Sequence, residues 1–199
     1  MKKLLLVAVV ALASVMAYAQ PRAIGLRLGE FDGVSYQHGF GDSNMLEIEA
    51  GFNLGSWYGN RMVGWESGNR WELYGYNVQL AVTYDWIDPF GATFPWEHKG
   101  EWHWYLGFGA AGGYGWYGWT YVPGYGYTGG SGDWGFAAGA GRAGVEYDFW
   151  FPLQISIDFR PTIGAGLVSV YDPVKDRYVV DAGLYYDVLS LCLGVRYKF

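Results

Sequence analysis

The sequence predicts an all-β chain: a transmembrane antiparallel up-and-down β-barrel of about eight strands. Three observations predict it. The chain opens like an exported protein, its composition is rich in Gly and aromatics and poor in charge, and its apolar residues fall in alternating strips rather than in one long run. The opening "MKKLLLVAVVALASVMAYAQ" carries two lysines, an apolar core and the small-x-small motif Ala17-Tyr18-Ala19. That is the pattern of a secretory signal peptide over 1–19, cut before Gln20, with a barrel over 20–199. No Cys stands at the cut, which argues against a lipoprotein.

Composition excludes several classes. Without Lys2 and Lys3 the chain has 11 basic and 19 acidic residues, a net charge of −8. Nucleic acid is therefore an unfavourable partner, because phosphates need a basic surface. The lone Cys192 cannot form an internal disulfide. Aromatics make up 20% of the chain and charged residues only 16%, against a usual quarter or so. No charge-free stretch of about 18 apolar residues follows the signal peptide. In lipid every backbone N–H and C=O must be paired internally, and a closed sheet is the β solution.

The strips are read in order. "AIGLRLG" sets Ile24, Leu26 and Leu28 against Arg27, and "GVSYQHGF" sets Val34 and Tyr36 against Ser35 and Gln37. These two strips could also form one long strand running through "EFD". "FGDSN" is a turn. "MLEIEAGFNLG" places Leu46, Ile48, Ala50, Phe52 and Leu54 outside and Glu47, Glu49 and Asn53 inside. "LYGYNVQLAVTYDW" puts Tyr74 to Trp86 outside at every second position, with Asn77, Gln79, Thr83 and Asp85 inside. "WHWYLGFGAAGGYG" aligns Trp102, Trp104, Leu106, Phe108 and Tyr114 on one face. "GFAAGAGRAGVEYD" turns Val145 and Tyr147 out and Arg142, Glu146 and Asp148 in. "LQISIDFRPTIG" turns Leu153, Ile155, Ile157, Phe159 and Ile163 out and Gln154, Ser156, Asp158, Arg160 and Thr162 in. Pro161 must cost a ladder bond or mark a bulge. The last strip, "LSLCLGVRYKF", alternates to Phe199, and its phase flips near Asp187-Val188, which predicts a bulge.

"FGDSN" and "FWFP" are short links. "SWYGNRMVGWESGNRWE", "WYGWTYVPGYGYTGGSGDW" and "VSVYDPVKDR" read as long loops, the asymmetry of outer-membrane barrels. "DPFGATFPWEHKGE" breaks that rule, being long on the side where links should be short.

A final strand of alternating apolar residues ending in Phe199 resembles the assembly signal of bacterial outer-membrane barrels. "AGVEYDFWFPLQISIDF" resembles the sixth-to-seventh hairpin of OmpX/OmpA-type eight-stranded barrels, and "GVRYKF" resembles their last strand. The resemblance implies a Gram-negative outer membrane, contact with its lipid, and the barrel-assembly machinery as a partner. Tyr197 and Phe199 then carry the assembly signal.

Some eight-stranded barrels modify lipids, so the chemistry needs weighing. The deacylase type has a His-x-Ser pair on its seventh strand, where this chain reads "ISIDFRP". The palmitoyltransferase type uses a His near the external face, whereas His38, His98 and His103 all fall towards the periplasm in this topology. Nothing sets a serine within reach of them as a nucleophile. His103 with Glu97 and His98 reads as a solvated turn rather than a metal centre, because the spacing is loose. "GFGAAGGYG" is no nucleotide loop, lacking both a following helix and a Lys. No enzyme activity, cofactor or metal is expected.

The inward charges Arg27, Glu47, Glu49, Arg142, Glu146, Asp158, Arg160 and Arg196 are the main candidate site. In so narrow a barrel they should pair and plug the lumen, since an unpaired buried charge is costly. The alternative is a small-solute channel. Trp116, Tyr117, Trp119, Tyr121, Tyr125 and Tyr127 form a Gly-rich aromatic loop. It suits an extracellular ligand, or serves as the upper aromatic girdle. The expectation is an outer-membrane barrel with a structural or surface-binding role.

Overall fold

The computed structural model describes residues 22–29, 32–53, 60–66, 69–90, 100–122, 126–172, 177–188 and 190–199. Among these residues the regular structure is all strand. The strands are β1 (Arg22–Gly29), β2 (Asp32–Phe40), β3 (Asn44–Asn53), β4 (Asn60–Glu66), β5 (Asn69–Pro89), β6 (Gly100–Val122), β7 (Gly126–Phe149), β8 (Leu153–Phe159), β9 (Thr162–Asp172), β10 (Arg177–Asp187) and β11 (Leu191–Lys198). The predicted signal peptide lies outside the described residues.

These segments make a closed antiparallel barrel of eight walls. β3 and β4 both run along β5, so they are two parts of one wall. β8 and β9 both run along β7, interrupted at Pro161. β10 and β11 continue one another across residues 188–190 and pair with β9 and β8 in turn. The two interruptions lie side by side, and the Arg160 N–H donates to the Ser190 carbonyl at 2.9 Å. Pro161 costs a ladder bond but shifts no register, since Ala143 faces Phe159 and Ala140 faces Thr162. The one-residue shift lies on the adjoining wall, where Asp187 faces Thr162 and Leu191 faces Phe159.

The walls are not equally long, and the barrel changes width as a result. At one end β1, β2, β3, β5, β6, β7, β8 and β11 close an eight-strand ring. The β1–β2 hairpin is short. Beyond it β4 pairs directly with β10, and β4, β5, β6, β7, β9 and β10 close a six-strand ring. The register can be followed around the wide ring from Gln79 through Gly51, Gly33, Arg27, Gly194, Ser156, Glu146 and His103 to Pro89, a displacement of ten residues. Around the narrow ring it runs from Leu73 through Met62, Tyr185, Gly164, Ala138 and Ala111 to Ala81, a displacement of eight. Strand number and stagger together set tilt and diameter, so the six-strand end is the narrower.

The faces follow the alternation read from the sequence. Ile24, Leu26, Leu80, Phe108, Ile157, Leu167 and Leu193 are exposed, whereas Arg27, Glu47, Asp85, Arg142, Asp158 and Arg196 are buried. This is the reverse of a soluble ligand-binding barrel. β11 has no free edge: β1 and β8 flank it, and the Phe199 N–H donates to the Arg22 carbonyl at 2.9 Å.

Three sequence expectations need correction. The stretch read as the loop "SWYGNRMVGWESGNRWE" contains β4 and the start of β5. The stretch read as the loop "WYGWTYVPGYGYTGGSGDW" is mostly strand: β6 continues to Val122 and β7 resumes at Gly126, so Trp116, Tyr117, Trp119, Tyr121 and Tyr127 sit on paired strands. Tyr125 lies outside the described residues. In "VSVYDPVKDR" β9 runs on to Asp172. Glycine weakens a strand's own preference, but ladder pairing to a neighbouring strand overrides so small a propensity. The first two strips form a hairpin rather than one strand. Leu54 and most of "DPFGATFPWEHKGE" lie outside the described residues.

Candidate functional site

The eight-strand end is filled by charge. Strands β1, β7 and β11 contribute Arg27, Arg142 and Arg196, and Arg160 follows β8. Their partners stand on β3, β5 and β8. Period-two alternation sends all of these side chains to the same side of the sheet, and closure makes that side the lumen.

Arg142 sits at the centre. It pairs with Glu47 at 2.5 Å, Asp85 at 2.7 Å and Asp158 at 3.3 Å. Its guanidinium lies 4.3 Å from the centroid of the Tyr105 ring. The Tyr105 hydroxyl accepts from Arg142 at 3.2 Å and donates to Asp158 at 3.0 Å. Arg27 pairs with Glu49 and Asp158, and with Glu47 at 3.4 Å. Arg160 pairs with Glu49. Arg196 reaches Glu47 at 2.7 Å and donates to Ser35 at 2.8 Å and Ser156 at 2.7 Å. Gln37 donates to Glu47 at 2.9 Å, and Thr83 donates to Asp85 at 3.1 Å. Four guanidiniums thus meet four carboxylates in a space closed to solvent. Gly144 makes room for this cluster, because a Cβ there would stand 2.5 Å from Tyr105.

Seven of the eight predicted lumen charges belong to this cluster. Glu146 does not. It is buried on the same face, but among the described residues it forms no ion pair, and its Oε2 has no hydrogen-bond partner. Arg142 spends its contacts on other strands, with Glu47 of β3 and Asp85 of β5 across the lumen and Asp158 of β8 beside it, instead of on the residue four places along its own. Two members of the cluster are additions to the sequence-derived set, Tyr105 and Asp85. Asp85 is on the inward face by alternation, and "HWYLG" gives Tyr105 the opposite parity to Trp104 and Leu106.

The six-strand end is filled differently. Trp134, Phe136 and Tyr185 are buried with Ala81, Ala111, Ala138, Ala140 and Val168. The Phe136 and Tyr185 rings stack 3.7 Å apart at 13°, and Trp134 stands 5.7 Å from Phe136. A gap of 3.7 Å between ring centroids admits no water. Gly113 faces this stack, and a Cβ on it would lie 2.5 Å from the Phe136 ring. Sequence reasoning missed this layer, although a signal exists: Trp134, Phe136, Ala138 and Ala140 share the parity of Arg142.

The mouth of the eight-strand end opens into a cavity of about 300 Å³ lined by Gln37, Met45, His103, Glu146, Asp148 and Lys198 among others. A ring nitrogen of His103 and carboxylate oxygens of Glu146 and Asp148 lie within 4.8 Å of one another there. Glu97 and His98, the neighbours weighed from the sequence, lie outside the described residues.

The fold is similar to that of a major outer membrane protein from Thermus thermophilus, with a TM-score of 0.54 and 13% identity over 92% of this chain and all of that one. At that identity the likeness shows the fold alone. No family model matches the chain, and no curated protein matches it.

Proposed function

We propose that the chain is an integral outer-membrane β-barrel protein of a Gram-negative cell, of OmpX/OmpA type, with a structural or surface-binding role. The carrying observation is the inverted distribution of side chains: an apolar outer band around a lumen filled with paired charge and stacked aromatics. An apolar surface of that extent on an isolated chain needs a lipid solvent. The short turns at Gly41–Ser43 and Trp150–Pro152 belong to the eight-strand end, which in this reading faces the periplasm. The six-strand end projects outward, carrying Trp116 and the paired aromatic strands as the surface for any extracellular ligand. Nothing in the reading calls for enzymatic chemistry or a channel.

Tyr197 and Phe199, both exposed at the end of the last wall, serve as the signal to the assembly machinery. Phe199→Asp is expected to lower the amount of folded protein in the outer membrane several-fold. The reading as a whole is tested by membrane fractionation with heat-modifiable gel mobility. Recovery in the detergent-requiring outer-membrane fraction, with faster migration before boiling, is expected. Release as a soluble periplasmic protein would contradict it.

A further inference from the structure

The charge cluster leaves Glu146 out, and its place in the fold gives it a use. Glu146 is 2% exposed, and its Oε2 has no partner. Across the β6–β7 ladder it faces His103, and two residues on along β7 stands Asp148. His103 Nδ1 and Asp148 Oδ1 are likewise buried without partners. Three ligand-type side chains therefore converge within 4.8 Å at a cavity wall, each with an unsatisfied buried donor or acceptor. Buried polar atoms are normally paired, and three unpaired ones at one point can share a single ligand.

We propose that His103, Glu146 and Asp148 form a binding site for one first-row divalent transition-metal ion, of which Zn²⁺ is the test case. An imidazole with carboxylates suits such an ion better than Ca²⁺ or Mg²⁺, which take oxygen ligands. His103 is prepared for the task. Its Nε2 lies 3.5 Å from Glu101 Oε2, which leaves Nδ1 as the ligand atom. A carboxylate behind a metal-bound imidazole fixes its tautomer and orientation. Asp148 Oδ2 is 3.1 Å from Lys198 Nζ, so the Oδ1 side remains for the ion. Charges balance: Glu101, Glu146 and Asp148 against Lys198 and a dication sum to zero. The cavity of about 300 Å³ leaves room for waters to complete the coordination. Placed at the mouth, the ion would tie β6 to β7 beneath the charge cluster.

The test uses the full folded chain in detergent, stripped with a chelator and titrated with Zn²⁺ by calorimetry. One equivalent should bind. His103→Gln and Glu146→Gln should each weaken binding at least tenfold, and Glu101→Gln about 10–100-fold as the orienting partner. Replacing His38 and His98 together by Gln should change nothing. Gel mobility before boiling reports whether each variant is folded. A readout without variants accompanies it: Zn²⁺ should slow diethyl pyrocarbonate modification of His103 at least tenfold, mapped by mass spectrometry, and leave His38 unaffected. Absence of stoichiometric binding, binding that survives both His103→Gln and Glu146→Gln, or equal labelling of His103 with and without Zn²⁺ would each overturn the proposal. So would Ca²⁺ binding as tightly as Zn²⁺.

Discussion

The two ends of the lumen solve one packing problem with opposite chemistry. In the six-strand ring the wall is close to the axis, and three aromatic rings with alanines fill the space. In the eight-strand ring the wall stands further back. There only long side chains reach the middle, and Arg27, Arg142, Arg160 and Arg196 meet carboxylates from facing strands. The difference teaches that the short β1–β2 hairpin sets the chemistry of the interior. Where it inserts two extra strands the lumen widens and needs charge; above it the lumen narrows and accepts an apolar stack. Ion pairs of this kind are not inherently more stabilising than a packed apolar core. They do make the inner and outer faces chemically unmistakable, since β1, β7 or β11 turned over would present an arginine on the outer face, and β3, β5 or β8 a carboxylate.

The largest expected effect is in the charged layer. Arg142→Ala leaves Glu47, Asp85 and Asp158 short of a partner, and the loss should be about 3–5 kcal/mol in urea unfolding of the folded barrel in lipid vesicles. In a double-mutant cycle, Arg142→Ala with Asp85→Ala should lose clearly less than the sum of the singles. Arg142→Ala with Glu146→Ala should lose close to that sum, because those two are not paired. A strong coupling with Glu146 would break the assignment of partners.

The aromatic layer should respond next. Phe136→Ala removes a stacked ring from a closed space and should cost about 3 kcal/mol. The conservative swaps sharpen the contrast. Phe136→Leu should cost less than about 1.5 kcal/mol. Arg142→Lys should stay well below wild-type stability, since one ammonium cannot reproduce a fork shared among three carboxylates. Equal tolerance of both swaps would show that the two layers do not differ in kind.

The smallest of the set concerns the wall itself. Leu80 is exposed and Gln79, next to it on β5, is buried. Leu80→Arg should destabilise by about 2 kcal/mol if it meets lipid, and by more than Gln79→Arg. Equal damage from both would contradict the facing assignment.

Much of this is legible in the sequence because parity is a strict code. Alternation along "LEIEAGF" or "LQISIDF" assigns each residue a face, and closing the sheet turns the polar face into the lumen. The one-residue register shift between Asp187 and Leu191 is equally readable as a phase flip. Parity does not say how far a strand extends, however. Around Trp116–Val122 and Gly126–Gly132 the glycines mimic a loop, although ladder pairing between β6 and β7 holds them extended. Nor does parity report strand number at a given height, so the six-strand ring and its Trp134–Phe136–Tyr185 stack are out of its reach. The same limit applies to His103. Its sequence neighbours suggest a solvated turn, whereas Glu146 comes to it across the β6–β7 ladder, with Asp148 two residues further along.

In the reading proposed above, each layer closes the lumen independently. Single-channel recording in planar bilayers tests it most directly. Wild type should show no steady conductance. The variant with Trp134, Phe136 and Tyr185 all changed to Ala should also stay closed, held by the charged layer. A stable wild-type conductance whose ion selectivity reverses in Arg142→Glu would contradict the account and make the barrel a channel.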